Sequence, residues 1–256
     1  MWPNKLLGLL PLLVSLHASA AWEKLPYSRQ LQGLCAADGA RFIVQKKKLW
    51  KIGPTETIQV SIPAALKSLG ANHLGDCDVH GQYVFVPVEG TSPLRIALFD
   101  KDDLSYINSL LLPATQKHAG WVTVDPQDGT VWSGEFNLQT VTKYEIDYEN
   151  FVLKAKESFN LTESAPIPRA QSVEVDRLRH RIWVVSDVKD GGLLGFDLGT
   201  YAPVSQNKIA YQPPKEELEG LDADEHGVTI SMWRTKLWGL MGRSKEVQFS
   251  DQELGL

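Results

Sequence analysis

A short phrase recurs five times along this chain: strand-like alternation, an Asp or His at a turn, then a second run of β-branched and aromatic residues. The copies run Leu34-Cys-Ala-Ala-Asp38, Asp76-Cys-Asp-Val-His80, Trp121-Val-Thr-Val-Asp125, Ser172-Val-Glu-Val-Asp176 and Gly220-Leu-Asp-Ala-Asp224. Steps between the turn residues are 42, 45, 51 and 48, close to the length of a four-stranded propeller blade. One such unit buries only one edge of itself, so the copies must stack around an axis. The expected fold is all-β, a β-propeller of four-stranded antiparallel blades, with five blades favoured and six the alternative.

In each copy the phrase supplies the two inner strands and the following residues supply the outer two. Third-strand candidates are 49–52, 94–100, 140–146, 193–198 and 237–241. Fourth-strand candidates are 57–62, 106–112, 152–159, 207–211 and 246–250. The stretch Trp22 to Leu31 is a candidate edge strand for the last blade, because closure removes exposed sheet edges.

Residues 1–20 read as an export leader: Lys5, an apolar run from Leu6 to Leu16, and Ala18-Ser19-Ala20 as the cleavage pattern, with the cut after Ala20. Residues 21–256 would then form a single propeller domain, secreted or periplasmic, with no membrane span. Without the leader the chain carries 25 basic and 31 acidic residues, a net charge of −6. That balance argues against nucleic acid as a partner; a monomer is expected. Cys35 and Cys77 occupy equivalent slots in neighbouring blades and should face different interfaces, which favours two buried thiols, with a bridge as the alternative.

In a propeller, inner-strand entrances and second-to-third strand loops meet around one mouth of the axis. The entrances offer Gln32, His73, Asp76, His118, Trp121, Arg169, Gln171, Glu217 and Glu219. The loops offer Glu89, Glu135, Asp187, Asp190, Trp233 and Arg234. Polar groups gathered near an axis imply water, a cation or a polar ligand. Within this set His73 and His118 are proton carriers and Asp76 and Glu219 metal ligands. Gln32, Gln171, Glu89, Glu135, Asp187 and Arg234 are ligand contacts, and Trp121 and Trp233 are stacking surfaces. An oxygen-rich set favours calcium. No organic cofactor is indicated, since no phosphate-binding glycine loop, nucleophile elbow or Cys-x-x-Cys is present.

Glu219-Gly220-Leu221-Asp222-Ala223-Asp224 and His73-Leu74-Gly75-Asp76-Cys77-Asp78-Val79 resemble the inner-strand signature of the NHL, gluconolactonase (SMP-30) and SdiA-regulated propellers. The resemblance implies a propeller with a mouth site. For its gluconolactonase branch it implies a divalent cation that activates water or polarises a lactone carbonyl. Glu219 matches the Glu of that branch's Glu-Gly pair, and Leu221 stands where the Pro that follows is usual. Two functions are expected: an exported propeller binding a polar small molecule or partner loop at the mouth, or a metal-dependent lactone or ester hydrolase.

Overall fold

The computed structural model describes residues 23–24, 31–162, 165–189, 191–211, 215–236 and 241–256; the leader at 1–20 and Asp190 lie outside the described residues. A two-residue strand, β1 (Glu23–Lys24), comes first. Four strands then form blade 1: β2 (Leu31–Ala37), β3 (Ala40–Gln45), β4 (Lys48–Ile52) and β5 (Thr57–Ser61). A one-turn helix, α1 (Ala64–Lys67), leads to blade 2, whose inner strand is split into β6 (His73–Leu74) and β7 (Asp78–His80), followed by β8 (Tyr83–Glu89), β9 (Arg95–Asp100) and β10 (Tyr106–Leu111). Blade 3 holds β11 (Thr123–Val124), β12 (Val131–Gly134), β13 (Thr140–Asp147) and β14 (Val152–Asn160). Blade 4 holds β15 (Ala170–Asp176), β16 (Arg181–Ser186), β17 (Gly192–Asp197) and β18 (Pro203–Asn207). Blade 5 holds β19 (Glu216–Asp224), β20 (Gly227–Lys236) and β21 (Met241–Phe249), before α2 (Asp251–Leu254). The result is a five-bladed propeller of antiparallel blades.

Blade 5 is completed by the other end of the chain. Strand β1 pairs antiparallel with β21, Glu23 opposite Glu246 and Lys24 opposite Lys245, so the expected closing strand is present. It takes the fourth place, which the sequence assigned to 246–250. Those residues through Phe249 lie in β21, which also absorbs Met241 of the expected third strand. In blade 4 the fourth strand is Pro203–Asn207, not 207–211, because a short Asp197–Tyr201 turn starts it early. Pro203 is tolerated there because an outer strand leaves one row of N–H groups unpaired.

The recurring acids build the turns. Asp125 accepts from the Gln127 N–H, Asp176 from the Arg179 N–H, and Asp224 from the N–H groups of His226 and Gly227. The apolar alternation of each blade packs against its neighbour: one cluster joins Phe42, Val44 and Leu49 to Val84, Val86 and Phe99, and another joins Trp132 and Val141 to Val173 and Ile182. Trp132 and Trp183 are fully buried, their indole N–H groups donating to Thr130 and Asp176.

Near the axis the inner strands touch backbone to backbone. A Cβ on Gly220 would overlap the backbone nitrogen of Leu34. One on Gly33 would overlap Asp76, and one on Gly75 the carbonyl of Gly120. Glycine is required at these three crossings because the strands must approach more closely than a side chain permits.

The cysteine expectation is corrected: Cys35 and Cys77 form a disulfide with Cα atoms 5.7 Å apart. Their slots are equivalent in sequence only. Strand β2 runs unbroken through Cys35, whereas the inner strand of blade 2 is interrupted between Leu74 and Asp78. In that gap the Asp76 N–H leaves its own blade for the Gly120 carbonyl, and Cys77 is turned toward blade 1. Converting both cysteines to serine is expected to lower unfolding stability by about 4 kcal/mol, as a 42-residue separation implies. Denaturant melts with and without reductant check this, and reduced wild type should match the variant. Gly220→Ala is expected to cost about 3 kcal/mol in the same assay, because backbone rather than a movable side chain blocks the new methyl.

Candidate functional site

Four of the five inner strands carry an irregularity near the entrance. Register shifts fall between Leu31 and Gly33, between Ala170 and Ser172, and between Leu218 and Leu221, with the β6–β7 gap as the counterpart in blade 2. The extra residues are Gln32, Gln171, Glu219 with Gly220, and Gly75 with Asp76. A bulge re-aims the side chain it carries. Gln32, Gln171 and Glu219 consequently line a cavity of about 170 Å³ at the mouth, together with His73, Gly75, His118, Gly120, Phe136 and Glu217.

An arc of hydrogen bonds runs along its wall across four blades. His118 Nε2 meets Glu89 Oε1 at 3.1 Å, and Glu89 Oε2 meets His73 Nδ1 at 3.1 Å. The other nitrogen of His73 meets Gln32 Oε1. Gln32 Nε2 donates to the Leu31 carbonyl at 2.7 Å and to Glu219 Oε1 at 3.4 Å, which fixes the orientation of the amide. His73 therefore lies between a carboxylate on one side and an amide oxygen on the other. His118 stacks on Phe136 with centroids 4.7 Å apart, and the Arg169 guanidinium lies 5.6 Å from the same ring.

Burial opposes ionisation of Glu89, but the His73 hydrogen bond, the His118 charge and the Ala119 N–H together hold its carboxyl below the usual range. Glu219 goes the other way. Burial pushes it well above the usual range, and Glu217, which also hydrogen-bonds to it, Asp187 and Asp76 add to the shift.

The remaining sequence candidates fall elsewhere. Asp76 lies beneath the mouth, 1% exposed, accepting from the Leu34 and Cys77 N–H groups and from the Ser172 hydroxyl. Trp121 and Trp233 do not present stacking surfaces to the cavity: Trp121 is 0% exposed within the blade 3–4 core, and Trp233 is buried as well. Glu135 accepts from the Lys117 N–H, Asp187 binds Arg169 at 2.6 Å and the Leu218 N–H, and Arg234 pairs with Glu216 at 3.4 Å, all outside the cavity lining. Glu89 stands behind the two imidazoles it links. Phe136, Gly75 and Gly120 were not among the sequence candidates; Phe136 follows Glu135 in a loop whose one-residue offset hid it.

At the opposite end of the axis is a second cavity, of about 420 Å³, containing Asp78, Glu174 and Asp222. These sit two places before the turn residues 80, 176 and 224, as Ala36 and Thr123 do before 38 and 125. That shared slot was visible in the repeat, where it read only as strand. Asp78 accepts from the Val124 N–H at 2.6 Å and the Thr123 hydroxyl at 3.1 Å; Asp222 accepts from the Ala36 N–H at 3.1 Å; Thr123 accepts from the Val175 N–H at 3.3 Å. Each link crosses a blade boundary. Burial raises Asp78 to about 6, and burial with the charge of Asp78 raises Asp222 to about 7. Burial and the acids around Glu174 hold it well above the usual range.

No family model and no curated protein matches this chain. Solved structures do. A luciferin-regenerating enzyme aligns over 90% of this chain and 95% of its own at 9% identity and a TM-score of 0.53, which shows the propeller fold alone. Hydrazine synthase of Kuenenia stuttgartiensis aligns over 88% of this chain at 11% identity and a TM-score of 0.48, and AztD of Citrobacter koseri over 72% at 15% and 0.41. The chain spans 63% and 48% of the lengths of these last two.

Acids with a raised folded pKa bind protons better when folded, so their contribution is present at low pH and lost as pH rises through about 6 to 7. Melting temperature is expected to fall between about pH 4 and about pH 7 and to level off above that. Asp222→Asn, which keeps an acceptor for Ala36, is expected to gain about 1–2 kcal/mol at the higher pH and to flatten the profile. Calorimetric melts across this range check both.

Proposed function

We propose that this chain is an exported propeller that binds a polar small molecule at the mouth between Gln32, Gln171, His118 and Glu219. The observation that carries this reading is Gln171. Its amide lines the cavity and, among the described residues, makes no hydrogen bond, while its neighbours are already fixed in the His118–Glu89–His73–Gln32–Glu219 arc. A polar wall in which the Gln171 amide and His118 Nδ1 lack hydrogen-bond partners among the described residues suits a ligand that completes the bonding. A cavity of about 170 Å³ favours a small molecule over a protein loop. The disulfide fits the oxidising compartment that the leader-like residues 1–20 indicate. No helix among the described residues is long and apolar enough to cross a membrane.

The likeness to the gluconolactonase branch supports the place of the site but not its cation. Asp76 has both carboxylate oxygens engaged by three donors, Glu219 shares a hydrogen bond with Glu217, and among the described residues no three His, Cys, Asp or Glu side chains are gathered as a metal centre requires. The residues present do not fit the ion, and no hydrolytic step is routed through it.

A thermal-shift screen of polar compounds of a dozen heavy atoms or fewer is expected to yield ligands. Gln171→Ala should weaken them about fivefold, the worth of one neutral hydrogen bond, with melting temperature unchanged. Equal affinity for wild type and variant would remove the mouth from consideration. Turnover of simple lactones, abolished in Glu219→Ala, would restore the hydrolase reading.

A further inference from the structure

We propose that the mouth end of the propeller is a docking face for an anionic phospholipid bilayer. Antiparallel blades put the second-to-third strand turns and the connectors between blades at that end, and the remaining turns at the far end. Exposed charge divides the same way. Lys46 and Lys47 occupy the blade 1 turn and Lys189 the blade 4 turn, while Lys67, Lys117, Lys208 and Lys215 lie in connectors. All are exposed, and among the described residues none of their ammonium groups is in an ion pair. The described acids of this end are buried or half-buried: Asp187 binds Arg169, Glu89 lies between two imidazoles, and Glu135 accepts the Lys117 N–H. At the far end the exposed acids include Asp38, Asp102, Asp103, Asp128, Glu149 and Glu225, and the exposed Arg177 is taken by Asp125. The anionic total of the chain therefore conceals one cationic end.

The placing of these cations favours a lipid surface over an acidic protein. They come from blades 1 and 4 and from connectors around the ring, which suits a flat, laterally uniform partner better than a local epitope. They are lysines, whose compact ammonium groups on flexible stems meet phosphate without the fixed fork that arginine presents. Leu69, 49% exposed, stands two residues after Lys67, and Leu111, 47% exposed, ends β10 at the same face. These apolar side chains can enter the headgroup boundary beside the lysines. Each lysine held near an anionic leaflet strengthens partition about fivefold, and the attraction decays within about 8 Å at physiological salt. Docking by this face requires neither a spanning helix nor a ligand in the cavity.

The test is flotation of the folded, disulfide-bonded protein with vesicles of phosphatidylglycerol and phosphatidylcholine in equal parts, and with phosphatidylcholine alone, at about 50 mM and about 500 mM salt. Binding is expected to the anionic vesicles only, and to weaken at least about tenfold at the higher salt. Lys46→Gln, Lys47→Gln and Lys189→Gln together should weaken it about a hundredfold. Lys67→Gln with Lys215→Gln serves if circular dichroism shows that variant misfolded. Asp102→Asn with Asp103→Asn, at the far end, should leave binding undiminished. No flotation with anionic vesicles at low salt overturns the inference, as does equal flotation with phosphatidylcholine alone or undiminished binding by the folded lysine variant. Poly-glutamate bound as tightly as the anionic vesicles would reassign the face to an acidic protein and overturn it. Association of the protein with itself at low salt, lost in the lysine variant, would assign the face to the anionic end of a second copy instead.

Discussion

The approach of five inner strands to one axis sets the terms for the rest of this molecule. Gly33, Gly75 and Gly220 let backbone meet backbone where any side chain would force the strands apart. Asp76 lies at this crossing and collects N–H and hydroxyl donors from blades 1, 2 and 4. The two cavities at the ends of the axis have no lining residue in common. The tight centre leaves polar space only at the ends, and so determines where ligands can sit.

Strand edges of neighbouring blades cannot pair with one another in full, so side chains carry the connections. Asp222 reaches Ala36, the disulfide and Asp76 join blades 1 and 2, Asp78 reaches Val124, and Thr123 receives Val175. Arg177 binds Asp125 across that same boundary, and Arg179 reaches the Asp224 carbonyl and Asp251 across the next. Many of the chain's acids are structural links, and burial is what raises the proton affinity of Asp76, Asp78 and Asp222. The mouth uses the same material differently. There, bulges turn Gln32, Gln171 and Glu219 out of the links and into open space.

The ring, its blade count and its closure by the first strand were legible because a repeat near 45 residues admits few architectures and because closure removes exposed sheet edges, although the sequence had already given the fourth place to 246–250. Rotational equivalence also brought Gln32, His73, His118, Gln171, Glu217 and Glu219 to one mouth from distant places in the chain. What escaped the sequence comes down to single-residue offsets. The break in the inner strand after Leu74 hid the approach of Cys77 to Cys35, and Trp121 is buried in the core between blades 3 and 4. A bulge leaves the alternation intact on both sides, so period-two reading passes over it. Asp78, Glu174 and Asp222 were overlooked for the opposite reason: they obey the alternation so well that they read as ordinary strand positions.

The seating of β1 against β21 places the earliest described residues of the chain beside nearly its latest. Blades 1 and 2 hold everything needed for their own covalent tie, yet Glu23 and Lys24 have nowhere to dock until β21 exists. A chain emerging in sequence order would therefore keep that segment idle while four blades and most of a fifth accumulate behind it, and the ring would close on a strand made before any of them.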